Sequence, residues 1–146
     1  MAKISLHFRI DSIRVLEFYQ KEPEKPIGSG EQHAINISLS FGHDKNNNKI
    51  RVVLVVDIRL SDETSPVLVS IETAMVFAFR EGELFDADKD ALVPKSAMNA
   101  MASITYSTTR GILFAKVGAS TLANLILPPI SIADLVKQVK PIGPPD

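Results

Sequence analysis

Residues 50–79, IRVVLVVDIRLSDETSPVLVSIETAMVFAF, decide the architecture of this chain. In the first run Ile50, Val52, Leu54, Val56, Ile58 and Leu60 recur with a period of two. Side chains alternate between the faces of a strand, so this spacing predicts a strand with one wholly apolar face. Val53 and Val55 make the other face apolar at its centre, which predicts cover on both sides. Residues 61–66 are turn formers, and Val67, Val69, Ile71, Met75, Phe77 and Phe79 then resume the alternation in a second long strand.

Upstream, Ile35, Ile37, Leu39 and Phe41 mark another strand, joined to the first run by the polar turn 42–49. Ile4, Leu6, Phe8 and Ile10 alternate with polar residues, and the apolar phase then moves to Ile13 and Val15. A bulge near Asp11 and Ser12 would return both sets to one face. Residues 20–31 are charged and rich in Pro and Gly, so they read as a long surface connection. Downstream, the acidic stretch 86–90 ends the β half, and residues 94–117 turn helical with Pro94 near the first turn.

Met98, Met101, Ile104, Thr108 and Ile112 mark one face of that helix, while Ser103, Ser107, Gly111 and Ala115 form a stripe of small residues. Only Lys95, Arg110 and Lys116 are charged within it, which is fewer than a helix on a single sheet needs. Cover by a second subunit is the expected reason. Ser131 and Asp134 form a capping pair opening a short helix that Pro141 stops. The expected fold is α+β: one domain over residues 1–146, a four-stranded antiparallel meander with a long first crossover, a long helix on the sheet, and a short C-terminal helix.

The chain has 146 residues, 45% apolar and 23% charged, which fits one globular domain and excludes a disordered chain. Sixteen basic and 17 acidic residues leave a net charge of −1, so nucleic acid is not an expected partner. The 17-residue charge-free run 117–133 holds Gly118, Asn124, Pro128 and Pro129, so no membrane span is expected. No export signal is legible at the N-terminus, and a cytoplasmic location is expected.

There is no Cys, which excludes disulfides, thiolate metal sites and a Cys nucleophile. His7, His33 and His43 lack the convergent carboxylates a metal site needs. Asp44, Asn46 and Asn48 imitate a calcium loop, but Lys49 and Val55 stand where Gly and a bidentate Glu are required. Gly28 and Gly30 lack the third Gly of a phosphate cradle, and no Ser sits in a nucleophile elbow. No catalytic residue, metal or cofactor is expected, and the chain does not read as an enzyme. The unusual feature is apolar: Leu122, Leu125, Ile126, Leu127 and Ile130 crowd a segment that its Gly and Pro make irregular. It reads either as loop packing or as a groove for apolar segments of another chain.

Phe8-Arg9-Ile10, the paired runs 50–60 and 67–79, Thr109-Arg110-Gly111-Ile112, Ser120-Thr121-Leu122 and Leu127-Pro128-Pro129-Ile130-Ser131 occur in an order that resembles the bacterial export chaperone SecB over residues 4–139. The resemblance implies a dimer of dimers that holds unfolded polypeptides or preproteins in apolar grooves without ATP. It implies groove positions at Phe18, Tyr19, Leu122, Leu125, Leu127, Ile130 and Leu135. It also implies docking of the SecA motor on acidic sheet residues, for which Glu17 and Glu72 are placed while Lys21 replaces another acid. With a net charge of −1 that docking is expected to be weak or absent. Ala102-Ser103-Ile104 departs from the family's Cys-Pro-Asn in the long helix. SecB-like chains also serve as dedicated chaperones in toxin–antitoxin systems, so an antitoxin is a second expected partner. A structural adaptor of the same fold, binding one specific partner, is the alternative function.

Overall fold

The computed structural model describes residues 7–22, 33–61, 64–80, 93–118 and 127–140. Expectations for Ile4, Leu6, Leu122, Leu125, Ile126 and residues 28–30 and 86–90 lie outside the described residues. Four strands, β1 (Phe8–Gln20), β2 (His33–Asp44), β3 (Lys49–Leu60) and β4 (Val67–Phe79), are followed by two helices, α1 (Lys95–Val117) and α2 (Ile132–Lys137). The strands form one antiparallel sheet in the order β1-β4-β3-β2. The meander therefore comprises β2 to β4, and the long first connection carries the chain between opposite edges, leaving β1 beside β4 in Greek-key order.

β1 breaks register with β4 between Ile10 and Ser12, where the bulge was expected, and again between Val15 and Glu17. Each extra residue restores the phase. Phe8, Ile10, Ile13, Val15 and Phe18 thus stand opposite Phe79, Phe77, Met75, Thr73 and Ile71, all on one face.

α1 lies over β3 and β4 on that face. Its first turns, with Ala97, Met98, Met101 and Ala102, pack on Ile50, Val52, Met75, Phe77 and Phe79. Its last turns, with Leu113 and Val117, join Tyr106 on Leu54, Val56, Ile58, Val69 and Ile71. The buried stripe is rotated from the expected one. Thr105 and Thr109 are fully buried, whereas Ile104, Thr108 and Ile112 are only partly so. The two threonines can enter the core because each hydroxyl donates to the carbonyl four residues earlier, Thr105 to Met101 at 2.8 Å and Thr109 to Thr105 at 2.7 Å.

Val53 and Val55 correct a second expectation. They lie half-buried on the face away from α1, and among the described residues no helix packs there. Their shielding comes from neighbours within the sheet, since a central strand has a partner on each side. α2 begins as its sequence predicts, with the Asp134 amide donating to Ser131 Oγ at 3.3 Å, and packs beside α1.

Thr73 sits fully buried under α1 with its hydroxyl unpartnered. An unmade buried hydrogen bond costs about 1–3 kcal/mol, and Val keeps the shape without the hydroxyl. Thr73→Val is expected to raise unfolding free energy by roughly 1 kcal/mol in urea titration; a loss of stability would mean that the hydroxyl has a partner.

Candidate functional site

A helix about 10 Å across cannot cover four strands set about 4.8 Å apart. The edge that α1 leaves uncovered is β1. On its α1-facing side Ile10, Ile13 and Val15 are 45%, 49% and 38% exposed, although their β4 partners Phe77 and Met75 are fully buried. Phe18 continues the line half-buried, with Lys116 Nζ from the last turn of α1 lying 4.8 Å from its ring centroid. These four side chains make an apolar strip roughly 20 Å long at about 3.3 Å per residue. Its backbone edge has no strand partner among the described residues.

Of the expected groove positions that lie among the described residues, only Phe18 belongs to this strip. Tyr19 is 49% exposed but pairs with Ser70, so it points to the opposite face, as neighbouring strand residues must. Leu127 is corrected from groove to core: it is 2% exposed and packs with Tyr106, Leu113 and Val117. Its neighbour is tied down by the Tyr106 hydroxyl, which donates to the Pro128 carbonyl at 2.5 Å. Burial pushes the Tyr106 phenol above its ordinary range, against the opposing field of Arg110. Ile130 and Leu135 are half-buried against the same cluster. Ile10, Ile13 and Val15 were missed as site residues because their alternation is that of core residues; the sheet-width arithmetic was the available signal, but the sequence does not say which edge stays bare.

A second apolar surface lies on α1. Ser107, Gly111, Phe114 and Ala115 share one exposed face, since Ser107, Phe114 and Ala115 each lie three or four residues from Gly111, and Phe114 is 62% exposed. Ser103, from the same small-residue stripe, is half-buried. A Cβ built on Gly111 meets nothing within 4 Å, so no packing among the described residues requires a glycine there.

On the sheet face away from α1, Glu17 and Glu72 are direct cross-strand partners. No group of His, Asp and Glu among the described residues could hold a metal ion. Among them, no helix is long and apolar enough to cross a membrane.

The sheet order and the helix placement define a SecB-like fold. The Mycobacterium tuberculosis SecB-like chaperone Rv1957, in complex with a ChAD peptide from the Rv1956 HigA1 antitoxin, superposes with a TM-score of 0.63 over 85% of this chain and 90% of that one, at 16% identity. A protein of unknown function from Streptococcus agalactiae aligns at a TM-score of 0.37 and 8% identity, over 80% of this chain and 92% of that one. No family model matches the sequence, and neither does any curated protein.

Proposed function

We propose that this protein is an ATP-independent chaperone that holds unfolded polypeptide segments in the cytoplasm, on the apolar strip of β1. The observation that supports it is the exposure of Ile10, Ile13 and Val15 beside a strand edge that has no partner among the described residues. An extended client there gains main-chain hydrogen bonds along the edge and apolar contact from alternate side chains. Neither needs a particular sequence, which suits clients in general, preproteins included. The expected result is suppressed aggregation of a denatured client at stoichiometric amounts without nucleotide. Ile13→Asp should reduce that suppression at least fivefold while changing unfolding free energy by less than about 1 kcal/mol, because the site is half exposed. No suppression by the wild type at tenfold excess would overturn the proposal.

A dedicated role, holding one antitoxin-like partner rather than many clients, is supported by the peptide that the Mycobacterium tuberculosis chaperone carries. Tight binding to a single partner without general aggregation suppression would mark it, and would equally fit an adaptor. Groove roles for Leu122, Leu125, Ile130 and Leu135 extend the same proposal toward α2. Docking of SecA on Glu17 and Glu72 is expected to be weak. Two facing carboxylates repel, exposed pairs contribute only ~0–1 kcal/mol each, and the net charge of −1 supplies little steering. Submicromolar SecA affinity abolished by Glu72→Lys would show otherwise.

The proposed assembly is a homo-oligomer, a dimer of dimers, that uses the exposed face of α1. Phe114 offers a knob and Gly111 a hole on that face, so it is complementary to a second copy of itself.

A further inference from the structure

The sheet face away from α1 has an apolar middle and two halves of opposite sign. Val53, Val55 and Val76 lie half-buried across the middle, with Ala74 buried between them. The half toward the start of β1 carries Arg14 and Arg51, and the other half carries Glu17, Glu72 and Asp57. Arg14, Arg51, Glu17 and Glu72 form no ion pair with any described residue, and Asp57 holds only the Ser70 hydroxyl, at 2.5 Å. The chain leaves these charges unmatched: its own cross-strand pairing sets Glu17 against Glu72.

Their positions share one centre. Arg14 pairs with Ala74 and Glu17 with Glu72, on either side of Thr73 along β4. Arg51 pairs with Val76 and Asp57 with Ser70, which lie three residues to either side of Thr73. Val53 and Val55 pair with Ala74 and Glu72 and are centred there too. Opposite charges at equal distances from one point are what a two-fold contact needs, because each patch then meets its complement on an identical surface. A two-fold axis crossing the strands level with Thr73 sets β1 over β1 and β3 over β3. It brings Arg14 over Glu17, Arg51 over Asp57 and Val53 over Val55 of the second copy, each twice.

We propose that this face binds a second copy of the chain, sheet on sheet, about that axis. Lys49 and Arg59 then approach at the rim, but Lys49 is already bonded to Asp11 and Arg59 to the Ser65 carbonyl, and the roughly 30° between stacked sheets parts the corners. Four strands at about 4.8 Å and ten residues at about 3.3 Å offer roughly 600 Å² per chain. Stable complexes use about 800 Å² per partner, so the contact is weak, with a dissociation constant on the order of 100 µM. The exposed face of α1 is on the far side of the chain, so particles assembled there stack through these faces instead of closing. The contact uses neither the apolar strip nor the chaperone reading.

The test is sedimentation velocity of the full chain from about 10 to about 500 µM in low salt. The expected result is a mass that rises with concentration, with association weakened at least threefold on raising salt from about 20 to about 200 mM. An exposed ion pair is worth a factor of up to about five and each occurs twice, so Arg14→Glu and Glu17→Arg should each weaken association at least tenfold. The Arg14→Glu/Glu17→Arg double variant restores opposite charges across the axis at the same net charge, and should return to within threefold of the wild type. Ile13→Asp, on the α1-facing side, should leave association within twofold. Both charged residues are exposed, so melting curves matching the wild type check folding, and the salt series on the wild type needs no variant. In the Phe114→Asp chain association should stop at two copies; a wild type that also stops at two would support this contact and count only against assembly on α1. A mass independent of concentration, single variants that associate like the wild type, or a double variant no better than either single one would each overturn the proposal.

Discussion

Tyr106→Ala is expected to destabilise the protein by about 3–5 kcal/mol, the range for deleting a buried aromatic ring. The ring is 4% exposed and lies between α1 and the cluster of Leu113, Val117 and Leu127, while its hydroxyl holds the Pro128 carbonyl. Removal leaves a cavity under the segment 127–130 and an unpaired carbonyl beside it. Tyr106→Phe keeps the ring and loses only the hydrogen bond, so about 1 kcal/mol is expected. Urea titration of the two variants separates packing from bonding. A cost below 1 kcal/mol for the alanine variant would mean that Leu127 and its neighbours are not part of the core. The same substitution is expected to uncover Leu127, so fluorescence of an added apolar dye should rise in native buffer.

Phe114→Asp is expected to break the proposed assembly to single chains of 16.0 kDa, read by light scattering at micromolar concentration. Truncating a central aromatic anchor costs an interface about 2–4 kcal/mol, and a symmetric contact loses it twice. A charge left in the seam adds to that. Within one chain the side chain is mostly exposed, so the fold should be unaffected. Gly111→Ala provides a check of opposite sign. It replaces a glycine inside a helix where a Cβ meets nothing, so the single chain should gain roughly 0.5–1 kcal/mol. At a close helix contact the added methyl group should weaken assembly. A wild-type particle of one chain would overturn the assembly altogether.

The two long alternations at 50–60 and 67–79 were legible because a strand needs only local period-two chemistry, and β3 and β4 appear at those residues. The phase change after Ile10 was legible as a bulge for the same reason: the apolar residues say which side must face inward. A second bulge before Glu17 was not anticipated, although the step from Val15 to Phe18 repeats that from Ile10 to Ile13, because Leu16 between them makes both faces locally apolar and blurs the phase change. In α1 hydrophobicity selected Ile104 and Ile112, yet Thr105 and Thr109 took the buried positions. Their polarity is cancelled by bonds to their own helix, which a hydropathy pattern cannot register.

The candidate site was less legible. Phe18 was placed by resemblance, but Tyr19 turns to the other face and Leu127 enters the core. The strip of Ile10, Ile13 and Val15 reads in sequence as buried. By itself the sequence determined the strands, the helices and the absence of thiol chemistry, because these follow from residue type and local spacing. Only the tertiary structure decided that β1 lies at an edge, and that α1 over β3 and β4 leaves it uncovered. Exposure depends on which elements lie alongside, a relation between residues far apart in the chain: Ile13 and Met75 are cross-strand partners, and one is half exposed while the other is fully buried.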